Sequence, residues 1–178
     1  MNIAIVGATG NVGRKTLEVL EKKGLTLGNL YLVASSKSAG KKIHFQGKDI
    51  VVSELENFDF SKVKIAFFAA GGKISEKFAE KAAKHCLVID NSSFFRMDPD
   101  VPLIVPQVNS DALNNVKKNI IANPNCSTAQ LVIALKPLHD LFVIKRIVVS
   151  TYQSVSGAGK ASMAVSYTHL TLPTKQDV

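Results

Sequence analysis

The most constraining feature of this sequence is a set of glycines that directly follows its first apolar run. The run Asn2–Val6 leads into the spacing G-x-x-G-x-x-G, at Gly7, Gly10 and Gly13, and the amphipathic segment Asn11–Lys23 overlaps its end. A strand, a glycine turn and a helix in this order are typical of a dinucleotide site, where the glycines let backbone and helix N-terminus approach a pyrophosphate. Because the spacing is not the usual G-x-G-x-x-G, a purely structural strand–helix turn is the alternative.

Strand and helix patterns alternate along the rest of the chain. Apolar runs predict strands at 30–34, 42–45, 49–52, 64–70, 87–89, 103–105, 119–122 and 146–152. Helical spacing predicts helices over Ser75–His85, with Ser75 as the N-cap, and over Ser127–Phe142, which Pro137 should end or kink. This alternation predicts the α/β class, with a doubly wound, mostly parallel sheet covered by helices on both faces.

Composition narrows the classes of protein further. Of 178 residues, 46% are hydrophobic and 20% are charged, which suits one packed domain or slightly more. No apolar run reaches the roughly 20 residues of a membrane span and no signal peptide is recognisable, so no membrane partner is expected. Two cysteines cannot build a disulfide framework, which favours a cytoplasmic location. The net charge of +8 favours anionic partners, but no basic stripe with interleaved aromatic residues predicts nucleic-acid binding.

The residues after the second predicted strand indicate which dinucleotide would bind. A site for NAD usually carries Asp or Glu there, on the ribose 2′-hydroxyl. This chain has Ala34-Ser35-Ser36-Lys37-Ser38 instead, where hydroxyls and a lysine would receive a 2′-phosphate and no carboxylate would repel it. We therefore expect NADP as the cofactor.

Cys126 is the candidate nucleophile. It lies between a predicted strand and the start of a predicted helix, and a helix N-terminus lowers the pKa of a thiol and so favours the thiolate. Cys86 precedes an apolar run, and we expect it to be a small buried hydrophobe. A thiolate beside a nicotinamide is typical of aldehyde dehydrogenases and acyl-phosphate reductases, and Arg96 is the cation best placed by sequence to anchor a phosphate. No metal site is predicted.

Six ordered segments carry a resemblance to a known family. They are Gly7–Gly13, Ala34–Lys41, Asp90–Arg96, Asp100–Asn109, Asn123–Thr128 and Ser150–Lys160. Together they resemble bacterial aspartate-semialdehyde dehydrogenase, from Met1 to about Met163. The resemblance implies a Rossmann-like cofactor domain and the beginning of a truncated α+β catalytic and dimerisation domain, in a family whose full-length members are homodimers. It also implies NADPH-dependent reduction of L-aspartyl 4-phosphate to L-aspartate 4-semialdehyde and phosphate, a step toward lysine, methionine and threonine.

The resemblance assigns roles to individual positions. Cys126 would form an acyl thioester, Gln153 would orient the substrate, and Arg96 with Asn125 would bind the phosphate. The positions implied to hold NADP are Gly7, Thr9, Gly10, Asn11, Val12, Gly13, Lys37, Ser38, Ser156 and Gly157.

The resemblance also divides the chain. It implies an NADP-binding domain over 1–125 and the start of the second domain over 126–163. From Ala164 the residues resemble a translated sequencing adapter, so 164–178 are expected to be a non-native tail. The family's substrate-binding Arg and general acid/base His lie beyond this chain, and none of its histidines matches their motif. We therefore expect little or no turnover, with the apolar residues Leu131, Val132, Leu135, Val148 and Val149 partly exposed.

Two alternatives are weighed against this function. N-acetyl-glutamyl-phosphate reductase shares the fold and the cysteine chemistry, but its nucleophile motif resembles Asn-Pro-Gly-Cys-Tyr, against which Asn125 and Ser127 argue. A non-catalytic NADP-binding regulator could open with the same glycine loop, and it would form no covalent adduct on Cys126.

Overall fold

A seven-stranded sheet forms the centre of the molecule. The computed structural model describes residues 1–159, so the predicted tail at 164–178 lies outside the described residues. In spatial order the sheet runs β3-β4-β2-β1-β5-β6-β7, and every neighbouring pair is parallel except the hairpin β3–β4. The strands are β1 (Ile3–Val6), β2 (Leu30–Ala34), β3 (Lys42–Phe45), β4 (Lys48–Glu54), β5 (Ile65–Phe68), β6 (Leu87–Asp90) and β7 (Ile120–Ala122).

The helices pack on both faces of this sheet. They are α1 (Asn11–Lys22), α2 (Gly72–Ala83), the single turn α3 (Pro106–Asn109) and α4 (Cys126–Phe142). Alternate residues of β1 point to opposite faces: Ile5 packs in one apolar cluster with Leu17 of α1, and Val6 packs in the other with Phe78 of α2. All four β1 residues are buried, as in a strand covered on both sides. The predicted doubly wound α/β fold is confirmed.

The structure corrects three local predictions. The run Arg146–Tyr152 forms no strand, since no described strand pairs with it, and Tyr152 is fully exposed. Residues 103–105 form no strand either; Leu103 makes a single bridge to Ala122. Helix α2 begins at Gly72 with Gly71 as its cap, so Ser75 is not the N-cap but a buried residue in the second turn.

Helix α4 packs loosely. It continues through Pro137 to Phe142, and none of its residues is buried. Phe142 is 76% exposed, and a small apolar groove of about 360 Å³ separates the helix from residues 144–147. The expectation of partly exposed apolar residues is confirmed for Leu131, Val132, Leu135, Val148 and Val149.

Candidate active site

One large cleft opens at the carboxyl edge of the sheet. Its walls are the segments that follow β1, β2, β4, β5, β6 and β7, and its volume is about 1000 Å³. Parallel strands bring their carboxyl ends to one edge of the sheet. Strands β2, β4 and β3 lie on one side of β1, and β5, β6 and β7 lie on the other, so the strand order reverses between the neighbours β1 and β5. Ligands of doubly wound folds bind at this switch point.

The glycine turn after β1 forms the floor of the cleft. Gly7 has φ of +87°, and its N–H donates to the carbonyl of Val33 at 2.8 Å. A Cβ atom at Gly13 would lie 2.2 Å from the carbonyl oxygen of Gly7, so the helix can approach this closely only through glycine. No side chain caps α1 and its first turn holds no acid, so its N-terminus presents positive potential to the cleft. This geometry fits a pyrophosphate.

The wall after β2 carries hydroxyls and cations. Ser36, Ser38 and Lys41 line the cleft, and Ser38 accepts a hydrogen bond from the Thr9 hydroxyl at 3.4 Å. Lys37 lies in the short 3₁₀ turn Ser36–Ser38, is exposed and does not line the cleft.

Sequence reasoning missed four charged residues of the cleft: Arg14, Lys41, Glu54 and Glu56, of which Glu56 forms an ion pair with Lys77 at 2.6 Å. Arg14 lines it from the first turn of α1, and its Nε donates to the carbonyl of Thr9 at 3.3 Å. Lys41 follows the serine-rich turn. Glu54 ends β4 directly beside Ala34, so a carboxylate lies near the end of β2 although none follows β2 in sequence. Only the strand pairing could have indicated Glu54.

Arg96 supplies an unpaired cation to the opposite wall. It is half-buried; its Nε donates to the carbonyl of Asn123 at 2.9 Å, and a terminal nitrogen donates to the carbonyl of Asn91 at 3.4 Å. Within residues 1–159 no carboxylate forms an ion pair with it. A guanidinium held by backbone carbonyls alone keeps its positive charge for an anion.

The candidate nucleophile stands at the N-terminus of α4. Asn125 caps this helix, with its side-chain oxygen accepting from the Ser127 N–H at 3.0 Å, and it lines the cleft. Cys126 is the next residue; it is exposed, and its sulfur lies 3.7 Å from the Asn125 side-chain oxygen. Cys86 is buried, as expected, and burial raises the pKa of its thiol to about 11. Only Cys126 is therefore accessible for chemistry.

The segment after α4 returns to the cleft. The 3₁₀ turn Val155–Ala158 contacts α1, which brings Ser156 and Gly157 into the lining. Gln153 is exposed, and its amide donates to the Thr151 hydroxyl at 3.2 Å, outside the lining residues.

Most of the residues singled out from the sequence share this cleft. Four do not line it: Gly13, which packs α1 onto β1, and Lys37, Cys126 and Gln153. The residues brought together are Gly7, Thr9, Gly10, Asn11, Val12, Ser38, Arg96, Asn125, Ser156 and Gly157. None of the three described histidines, at 44, 85 and 139, lines the cleft.

Two other kinds of site are absent from the described part of the chain. Residues 1–159 hold no group of three His, Cys, Asp or Glu side chains arranged for a metal ion. In the same range no helix has the length and apolarity needed to cross a bilayer.

Two family models match the chain. The model described as "Semialdehyde dehydrogenase, NAD binding domain" matches residues 2–116. The model described as "Semialdehyde dehydrogenase, dimerisation domain" matches residues 135–176.

Curated relatives match nearly the whole chain. Aspartate-semialdehyde dehydrogenase of Rickettsia bellii is 51% identical over 168 residues, covering 93% of this chain and 50% of the relative. Aspartate-semialdehyde dehydrogenase 2 of Vibrio cholerae is 53% identical over 164 residues, covering 91% and 49%. The chain thus spans about half the length of the curated relatives it matches.

Solved structures show the same fold. A crystal structure of aspartate semialdehyde dehydrogenase II from Vibrio cholerae, complexed with ASA, superposes with a TM-score of 0.88 at 52% identity and covers 91% of this chain and 49% of that one. Aspartate semialdehyde dehydrogenase with NADP from Candida albicans superposes with a TM-score of 0.64 at 30% identity, covering 79% and 47%.

Proposed function

The chain belongs to the semialdehyde dehydrogenase family, and on that premise we propose that it forms the cofactor site and supplies the nucleophile of an aspartate-semialdehyde dehydrogenase. The observation that carries this proposal is a single cleft that joins a glycine turn fit for a pyrophosphate to an unpaired Arg96. Asn125 lines the same cleft, and the exposed thiol of Cys126 follows it. Reduction of an acyl phosphate requires a site for a dinucleotide, a site for the anionic phosphate and a nucleophile.

The dinucleotide lies across the floor of the cleft in this proposal. The backbone N–H groups at the start of α1 would donate to its pyrophosphate, and Ser156 and Gly157 would hold its nicotinamide end. The bound cofactor supplies a hydride. The protein's part is to fix the dinucleotide against the wall that holds Arg96.

The finer proposal is that the cofactor is NADP. Ser38 and Lys41 line the wall after β2, and Arg14 adds a second cation. These groups suit a 2′-phosphate, whereas Glu54 on the same wall suits a ribose 2′-hydroxyl. Glu56 also lines the cleft, but its carboxylate forms an ion pair with Lys77 at 2.6 Å. Two cations against one carboxylate without an ion pair in residues 1–159 favour the phosphate.

A pair of lysines tests this preference. Lys41→Ala should weaken NADP binding about 5- to 30-fold, the equivalent of about 1–2 kcal/mol for a partly exposed charge-assisted hydrogen bond, and should leave NAD binding unchanged. Lys37→Ala removes the same side chain from the same loop outside the lining residues and should change neither affinity. Calorimetric titration with NADP and with NAD measures these affinities for the full wild-type chain and for both variants. Equal affinities of the wild-type chain for NAD and NADP would contradict the proposal.

The proposed reaction uses Cys126 as a covalent carrier. Its thiolate attacks the acyl carbon of L-aspartyl 4-phosphate, the carbon–oxygen bond to phosphate breaks, and phosphate leaves with that electron pair. Arg96 and Asn125 bind the departing phosphate, and Gln153 orients the acyl group. Reduction of the thioester then breaks the carbon–sulfur bond, which releases L-aspartate 4-semialdehyde and returns the sulfur as thiolate.

A covalent adduct tests the nucleophile. The full chain is incubated with aspartate semialdehyde and NADP, and its intact mass and peptide map are measured. We expect one acyl adduct, located on Cys126, that Cys126→Ser abolishes. Cys86→Ser is the matched control and should retain the adduct, because the Cys86 thiol is buried. No adduct on the wild-type chain, or labelling that persists in Cys126→Ser, would contradict the assignment.

Membership of this family also suggests how the functions are divided along the chain. We propose a cofactor domain over 1–125, the start of a catalytic and dimerisation domain over 126–163, and a non-native tail over 164–178. None of the described histidines, at 44, 85 and 139, lines the cleft, and the resemblance gives the general acid/base to a histidine that matches none of them. The 178-residue chain is therefore expected to bind NADP with little turnover. Turnover within a few-fold of a full-length relative would contradict this.

A further inference from the structure

A buried carboxylate that the proposed chemistry does not use lies behind the anion site. Asp90 ends β6 and is 0% exposed. One of its oxygens accepts from the Ser75 hydroxyl at 2.6 Å and from the Ser92 N–H at 3.1 Å, and the other accepts from the Ser92 hydroxyl at 2.7 Å. No cation within residues 1–159 pairs with it. A buried carboxyl group whose partners are all hydrogen-bond donors holds those donors firmly in place.

The donors belong to the segment that carries Arg96. The Ser92 hydroxyl, held by Asp90, itself accepts from the Phe94 N–H at 3.1 Å. Asn91 lies between Asp90 and Ser92, its N–H donates to the carbonyl of Phe68 at 2.9 Å, and its carbonyl accepts from Arg96. The orientation of the Asn91 carbonyl is therefore set on both sides, by β5 and by the Asp90–Ser92 pair.

We propose that Asp90 is the positioning residue of the anion site: through Ser92 it fixes the Asn91 carbonyl that directs the Arg96 guanidinium into the cleft. Asp90 does not line the cleft, whereas Asn91, Ser92 and Arg96 do. The inference rests on the proposed function, in which Arg96 binds phosphate. A guanidinium oriented before the anion arrives costs no ordering on binding, which is why rigid support raises affinity.

Ser75 provides a matched control within the same cluster. It donates to the same carboxylate through the same type of hydroxyl and is also buried, but it belongs to α2 and its side chain forms no hydrogen bond with residues 91–96. Ser75→Ala and Ser92→Ala each remove one hydrogen bond from Asp90, and both should lower the melting temperature. Only Ser92→Ala frees the segment that holds Arg96. Asp90 itself is kept, because an amide there would leave the Ser92 hydroxyl without its acceptor and endanger the fold.

The test measures Arg96 directly in the full 178-residue chain. Proton NMR follows the exchange with water of the terminal N–H of Arg96 that donates to the carbonyl of Asn91. In a second experiment, the chain is titrated with inorganic phosphate and the same signal is followed. Ser92→Ala should speed the exchange and weaken phosphate binding by about 2- to 12-fold each, the equivalent of a net hydrogen bond. Ser75→Ala should change both by less than about twofold at a comparable loss of melting temperature.

Two failures are distinguishable. If Ser92→Ala and Ser75→Ala show the same exchange rate at Arg96, the positioning role of Asp90 is overturned, whatever phosphate does. If phosphate leaves the Arg96 signal of the wild-type chain unchanged, the proposed phosphate site fails, while the exchange rate, which needs no ligand, still decides the role of Asp90.

Discussion

Replacement of Gly13 by alanine is the strongest perturbation that the glycine turn allows. The new Cβ would lie 2.2 Å from the carbonyl oxygen of Gly7 and 2.8 Å from the Cα of Ala8. Ordinary contacts of a Cβ begin at about 3.4 Å, so the helix must move by about 1 Å or more. Every nearby atom is backbone, and no side chain can rotate away.

The cost follows from this geometry. Overpacking a close-packed interior costs typically about 1–3 kcal/mol, and the absence of any flexible neighbour places Gly13→Ala at the upper end, at about 3 kcal/mol. For a urea slope of about 2 kcal/mol per M, the unfolding midpoint should fall by about 1.5 M. A loss of this size is a large part of the about 5–15 kcal/mol that stabilises a typical domain.

Urea unfolding of the full chain, followed by circular dichroism, measures the loss. Gly72→Ala is the control, because it makes the same change in the first turn of α2, where the nearest atoms lie 4.0 Å from the new Cβ. This control should change the free energy of unfolding by less than about 1 kcal/mol, helped by the better helix propensity of alanine. If Gly13→Ala costs no more than Gly72→Ala, close packing does not explain the glycine at position 13.

Four further predictions concern the cysteines and the ends of α4. Alkylation of Cys126 by iodoacetamide should be measurable near neutral pH, whereas Cys86 should react only as the pH approaches about 11, where its raised pKa lies. Mass spectrometry distinguishes the two alkylated cysteines. Reaction of Cys86 near neutral pH would show that its thiol is not buried. The neutral Cys86 thiol favours the folded state below its ordinary pKa of 9.0, so stability should fall as the pH rises from about 9 to about 11, and Cys86→Ala should abolish that fall in pH-dependent urea midpoints. Asn125→Ala removes the α4 cap and should cost about 1 kcal/mol in urea unfolding, while Asn125→Ser should restore most of it. Val143 ends α4 with φ of +51°, so Val143→Gly should raise stability by about 1 kcal/mol; an unchanged midpoint would show that this conformation is not strained.

The elements that depend on neighbours in sequence were predictable. The turn from β1 to α1 is encoded within the first 22 residues by an apolar run, three glycines and a helical period. The two cysteines were likewise distinguished by their immediate surroundings, with Cys126 at a helix N-terminus and Cys86 before a buried strand.

The residues that depend on neighbours in space were not predictable. Glu54 reaches the cleft because β4 pairs with β2, and no local pattern announces that pairing. Ser75 was expected to cap α2, but its hydroxyl turns inward to Asp90, a residue 15 positions away. The run at 146–152 has the β-branched composition of a strand, but a strand also needs a partner, and no described strand pairs with this run.

The place of β1 in the sheet has a consequence for synthesis on the ribosome. Strand β1 precedes the other described strands in the chain but is the fourth of the seven in space, and its partners β2 and β5 are both complete by Phe68. At about 5–20 residues per second, β6 and β7 follow only seconds later and join at one edge. The nascent chain can therefore assemble the glycine-turn floor of the cleft while the segment that carries Arg96 has yet to be translated.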